Sequence, residues 1–273
     1  RLDIIGDIGI SGSRLHVGSD GNIGIGTSDP NAKLHLQDGG VLFSGTTGTI
    51  RASGAGTRMM WIPEKKAFRA GNVTGTEWDI SNVGINSFAV GVNTQASGES
   101  SIAMGNGATA SGLYTTAMGN GATASGSQST AMGIMTEASG QGSTAIGWIT
   151  KAIGQNSTAL GYFATAGGNF STAMGKNTTA SGNLSTAMGE NTTASGLRST
   201  AMGYNASTNG RNGSLVYGDY STDTVMNATA DNQFMVRAAG GTIFYSNSSL
   251  TAGVSLAPGS GSWSNVSDRN QKE

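Results

Sequence analysis

The sequence predicts an all-β chain wound into a parallel β-roll, on three observations. A tripeptide of Ala, one apolar residue and Gly recurs every fourteen residues, from Ala89-Val90-Gly91 through Ala131-Met132-Gly133 to Ala201-Met202-Gly203. A second Gly follows each by seven residues, from Gly98 through Gly140 to Gly210. Between them lie short alternating segments of Ser, Thr, Ala and Met, such as Ser129-Thr130-Ala131-Met132, too short and too Gly-interrupted for helices. A fixed period in two halves reads as a solenoid whose turn is two short strands and two tight turns, with Gly where the chain changes direction. Equivalent residues then stack as parallel strands about 4.8 Å apart, and nine turns make a rod on the order of 40 Å long.

In all nine turns Ala occupies one pleat face of the Ala-x-Gly strand, and Val, Ile, Leu or Met occupies the other. A lone roll buries one face of each strand, so the second apolar face calls for another chain, and a trimer is the simplest closure.

Ser-Thr-Ala-Met-Gly followed by Thr-Ala-Ser-Gly resembles the head repeats of trimeric autotransporter adhesins over roughly residues 84 to 210, with Met where that family prefers Val or Ile. The resemblance implies a left-handed parallel β-roll packed as a homotrimer, and adhesion to a glycan or protein receptor at a cell surface.

The 273 residues include 45 Gly and no Cys, with a net charge of -1. Gly has no three-residue period, which excludes collagen. Near-neutral charge without basic clusters argues against nucleic acid and anionic membrane surfaces as partners, and there is no run of eighteen apolar residues. The chain lacks an initiator Met and a signal peptide and is expected to be a piece of a longer extracellular fibre.

Residues 1–82 read as an N-terminal β region. Gly24-Ile25-Gly26-Thr27-Ser28-Asp29-Pro30 with Lys33-Leu34-His35-Leu36 resembles a segment of phage-type tail-fibre proteins. It lacks the full G-x-G-x-x-G and helix of a dinucleotide loop, and His16 and His35 read as structural, so no cofactor or metal is expected. Met59-Met60-Trp61-Ile62-Pro63 and Lys65-Lys66-Ala67-Phe68-Arg69-Ala70-Gly71 predict a hairpin capping the open end of the roll; a sugar platform at Trp61 or Trp78 is the competing reading. The roll is assigned to residues 83–210 and a C-terminal β segment to 211–262, with a strand, a Gly turn and a second strand over 232–247.

Residues 263–273 open a further domain. Ser267, Asp268, Lys272 and Glu273 resemble the start of the intramolecular chaperone of endosialidase-type tailspikes. That resemblance implies a chaperone that templates the trimer and self-cleavage at Ser267 assisted by Asp268. A Ser needs a base and an oxyanion site, which seven residues do not supply; Ser267-Asp268 as a helix N-cap fits the same residues. The chain itself is expected to carry no enzyme activity.

Two features of the roll bear on binding. The turn after Ala-x-Gly is polar or small in most repeats, as at Asn106-Gly107 and Glu190-Asn191, but holds Ile134-Met135, Trp148-Ile149 and Tyr162-Phe163 in three consecutive repeats. Fourteen-residue spacing stacks these six as one apolar patch, which either binds a receptor or faces a neighbouring subunit. Thr116, Thr130, Thr144, Thr158, Thr172, Thr186 and Thr200 form an unbroken ladder. A flat Thr array could bind ice, although Thr is also simply a good strand residue. The sequence reads as a trimeric fibre segment for adhesion at a cell or phage-like particle surface. A structural shaft would use the same roll, and a glycan-cleaving spike is disfavoured for want of an acid pair.

Overall fold

The structure, a computed structural model, describes residues 6–10, 13–48, 50 and 52–266. The chain divides into two compact units between Gly45 and Thr46.

The first unit holds a four-stranded sheet in the order Gly6–Ile10, Ser13–Val17, Ile23–Ile25 and Leu34–Leu36. Leu15, Ile23, Ile25 and Leu34 remain exposed. His35 is half-buried, and its Nδ1 accepts a hydrogen bond from the Asn31 N–H at 3.3 Å.

The second unit is the expected β-solenoid. Each turn contributes a five-residue strand, such as Thr130–Ile134, to a 13-stranded sheet. It contributes a two-residue strand, such as Glu137–Ala138, to a 10-stranded sheet facing it. Pairing between turns is parallel and in strict register: Thr130 lies on Thr144, Ala131 on Ala145, Met132 on Ile146 and Gly133 on Gly147. The Ala of both strands points inward and is completely buried, as at Ala131 and Ala138. A buried Ser or Thr immediately precedes most long strands, and several turn their hydroxyl back to the carbonyl three residues earlier: Ser101 to Gly98 and Ser171 to Gly168 at 2.6 Å, Ser199 to Gly196 at 2.7 Å. Because burying one methyl contributes only about 0.8 kcal/mol, cohesion rests chiefly on the backbone ladder between turns.

Gly in the Ala-x-Gly strand is required by contact as well as by dihedral. Gly147 has φ +132°, and a Cβ there would overlap the carbonyl oxygen of Gly161 in the next turn.

The predicted hairpin is present, Gly56–Ile62 antiparallel to Ala67–Val73, with a turn through Pro63–Lys65. Its second strand pairs parallel with the roll's first strand, Phe68 on Phe88 and Gly71 on Gly91, so the hairpin continues the long-strand sheet. This places Arg69 over Ala89, at the head of the buried Ala column. Arg69 is fully buried. Its guanidinium donates to the carbonyls of Phe68, Ser87 and Ala96 and to the Ser87 hydroxyl, at 2.8 to 3.1 Å, and burial lowers its pKa to about 10. Trp78 is also buried, its Nε1 donating to the Thr94 carbonyl at 2.8 Å, which leaves it no exposed face for a sugar; Trp61 is half-buried.

The roll also runs further than its period. Leu215–Gly218 and Phe234–Arg237 add two more turns to the long-strand sheet, with Gly203 on Gly218 and Gly218 on Arg237. These turns are 15 and 19 residues long, so extra residues looped out of the turns hide the repeat from a fixed-period reading. The two strands expected within 232–247 therefore belong to different sheets: Phe234–Arg237 completes the roll, and Thr242–Tyr245 starts a three-stranded antiparallel sheet with Gly253–Leu256 and Ser264–Asn265. A second arginine closes this end. Arg237 donates from Nε to Asp219 at 2.9 Å and from its terminal nitrogens to the carbonyls of Tyr204, Asp219 and Thr224. The Ser221 hydroxyl, then the Ala239 N–H and Arg237, hold the Asp219 carboxyl well below the usual carboxylate range. Ser267, Asp268, Lys272 and Glu273 lie outside the described residues.

Two substitutions probe these contacts by urea denaturation. Gly147→Ala should lower stability by about 3 kcal/mol or more through the clash with the next turn and the positive φ. Arg69→Ala should cost about 2–4 kcal/mol, since the carbonyls of Ser87 and Ala96 each lose one of two donors, keeping only the N–H of Phe68 and of Gly84, and the end of the Ala column opens.

Candidate functional site

The six patch residues come together as their spacing requires. Ile134 lies on Trp148 and Trp148 on Tyr162 in adjacent long strands, with Lys176 next in line. The Trp148 and Tyr162 rings are 5.8 Å apart and tilted, and Tyr162 meets Phe163 edge-on at 4.7 Å. Ile134, Met135, Trp148, Tyr162 and Phe163 are each at least 40% exposed, and Ile149 is half-buried. On the opposite corner Tyr114 and Phe170 are separated by Gln128, Gly142 and Asn156, and Leu184 follows Phe170 in the next turn.

Backbone conformation at this corner could not be anticipated from exposure or hydropathy. The chain enters the left-handed region once per turn there, at Asn93, Gly107, Gly121, Met135, Ile149, Phe163, Asn177, Asn191 and Asn205. Six of these nine are Asn or Gly, the residues that tolerate that region. Met135, Ile149 and Phe163, at φ 52° to 54°, are neither. A branched side chain such as Ile149 held there costs about 1–3 kcal/mol. The opposite corner is alike, with Tyr114, Gln128, Phe170, Leu184 and Arg198 at φ 55° to 60°, so left-handed geometry belongs to the roll's turns in general, and what is particular to this corner is its run of exposed apolar side chains.

The same turns deviate on the short-strand side. The outward position that is Thr109, Thr123, Thr165, Thr179 or Thr193 elsewhere holds Glu137 and Lys151 here. Their side chains pair across adjacent turns at 3.5 Å, both well exposed. A shallow groove of about 420 Å³ lies between, lined by Thr123, Ser125, Met135, Glu137, Ile149 and Lys151 among others. Glu137 is its one acidic residue, whereas acid-base cleavage of a glycosidic bond uses two carboxylates. Among the described residues no group of His, Asp and Glu could hold a metal ion. Sequence reasoning missed Glu137 and Lys151; the visible signal was their interruption of a Thr column.

The Thr ladder is in register across all seven turns. By strand alternation it shares its face with the column Val90, Met104, Met118, Met132, Ile146, Leu160, Met174, Met188 and Met202, none of which is buried in the single chain.

If the corner is held in left-handed geometry at the expense of stability, Ile149→Asn should stabilise the protein by about 1 kcal/mol in urea titrations. An equal loss of stability would contradict that reading.

The YadA head domain repeat, a model of two repeat copies, matches residues 83–108, 96–122, 110–134, 124–148, 152–178 and 180–206. Residues 149–151, at the strained corner, fall between two of these matches. No curated protein matches the chain. The regular part of the roll is thus built of YadA head repeats, the adhesin type that its Ala, Gly and Ser-Thr columns resemble.

Proposed function

We propose that the chain is a segment of a homotrimeric extracellular fibre that carries an adhesive, receptor-binding surface and performs no chemistry of its own. The observation that carries this reading is the contrast between the roll's two outward faces. The long-strand face presents the Val, Ile, Leu and Met column uncovered along the whole roll, flanked at its ends by Phe88 and Ile102 and by Leu215 and Phe234. A contiguous apolar face of that length in water calls for a partner. Further copies of the same roll supply a matching one, in register and of the same length. The head-repeat match supports this reading, because adhesins of that type are trimeric and displayed outside the cell. Among the described residues no helix is long and apolar enough to cross a membrane.

The strained corner of Ile134, Met135, Trp148, Ile149, Tyr162 and Phe163 is the receptor contact in this reading, and a cell-surface glycan or protein is the receptor. The resemblances at the two ends extend it to a fibre of a phage-like particle, assembled by a C-terminal chaperone that opens at Ser267. A plain shaft with its binding tip elsewhere is the competing role. Ice binding through the Thr ladder is not favoured, since that ladder shares its face with the apolar column that the trimer would cover.

Binding to candidate bacterial cells, with Trp148→Ala and Tyr162→Ala beside the parent, tests the adhesive role. The parent should be retained on cells and each variant should lose about tenfold or more in apparent affinity while keeping the parent's solution mass. Variants that dissociate, or a parent that binds no cell, would assign the corner to the subunit interface and the segment to a shaft.

A further inference from the structure

We infer that the groove beside the corner takes an uncharged carbohydrate chain as its ligand, an inference that rests on the adhesive reading and narrows it.

The groove is on the short-strand sheet, whose outward face points away from the apolar Met column. A trimer that covers the Met column leaves this side open. By strand alternation Trp148 and Tyr162 share the Met column's face, while Met135 and Ile149 stand at the corner itself and wall the groove. The patch thereby straddles the corner, with exposed Trp148 and Tyr162 at the rim of one face and Met135 and Ile149 beside the groove on the other.

The lining has the chemistry a polyol needs. Met135 and Ile149 offer an apolar wall for the C–H face of a sugar ring. The Glu137 carboxylate accepts hydrogen bonds, the Lys151 ammonium donates them, and the Thr123 and Ser125 hydroxyls do both. Glu137 and Lys151 hold each other at 3.5 Å and cancel in charge, so the groove has no net field with which to prefer an anionic sugar.

The same geometry disfavours a peptide. Strand addition requires a free sheet edge, whereas Thr123–Ala124, Glu137–Ala138 and Lys151–Ala152 are each paired on both sides. A docked amphipathic helix requires a continuous apolar groove, and five of the eight lining residues are polar or charged.

The test is binding of the purified chain to arrayed neutral hexose and N-acetylhexosamine oligosaccharides, beside sialylated and sulfated ones and beside whole cells. Glu137→Gln, Lys151→Met and Trp148→Ala accompany the parent, each matched for solution mass and unfolding midpoint. The parent should be retained on neutral oligosaccharides, and Glu137→Gln and Lys151→Met should each weaken that retention about tenfold without a shift in mass or midpoint. Cell binding that Trp148→Ala abolishes, with no carbohydrate retained or with Glu137→Gln and Lys151→Met both unaffected, would overturn the carbohydrate assignment and leave the adhesive role standing. Preference for the sialylated or sulfated probes would overturn the assignment of an uncharged ligand. Absence of binding to cells and sugars alike would remove both.

Discussion

The rest of this protein depends on how closely successive turns of its backbone approach. At a separation of about 4.8 Å, Gly133 stacks on Gly147 and Gly147 on Gly161, and no Cβ fits between them. The same closeness puts Ala on Ala through the interior, so a core of methyls and short hydroxyls suffices where larger side chains would push the two sheets apart. An interior that small leaves little apolar burial to stabilise each turn, and hydrogen bonding between turns becomes the main cohesive element. Its weak points are therefore the ends, where a turn lacks a neighbour. Arg69 and Arg237 address this in the same way at opposite ends, each spreading one guanidinium over backbone carbonyls of the terminal turns.

Because the interior is fixed, the outward columns are free to differ, and they do so by face. One sheet turns Thr and Met outward and the other turns Thr and Ser outward, so the roll is apolar on one side and hydroxyl-rich on the other. The first pattern suits contact with copies of itself, and the second needs no cover. Between the two faces, three successive turns place bulky residues in left-handed geometry and replace Thr by Glu137 and Lys151. These alterations lie in neighbouring columns of the same turns and leave the Ala core and the Gly stack beneath them unchanged.

Much of the fold was legible in the sequence. Ala, Gly and the second Gly recur at positions that only a stacked turn explains, and the stacking of Trp148 on Tyr162 follows from the period alone. The limits were equally physical. Arg69 looked like one more residue of a hairpin, because nothing local announces that its register places it in the Ala column. The turns ending at Gly218 and Arg237 escaped a fixed-period reading because looped-out residues shift the spacing while the backbone pairing continues. The left-handed geometry at Ile149 was latent in the Asn and Gly of equivalent turns, yet hydropathy showed only an apolar patch there. Glu137 and Lys151 were missed because a charge pair on a strand is ordinarily a solvated surface.

If the Met column is an interface between copies of this chain, sedimentation equilibrium at micromolar concentration tests it most directly. The expected mass is three times the 27.4 kDa of one chain, falling to that of a single chain when Met132 and Met174 are both replaced by Lys. A parent protein that sediments as one chain, folded and stable with its Met column in water, would contradict it.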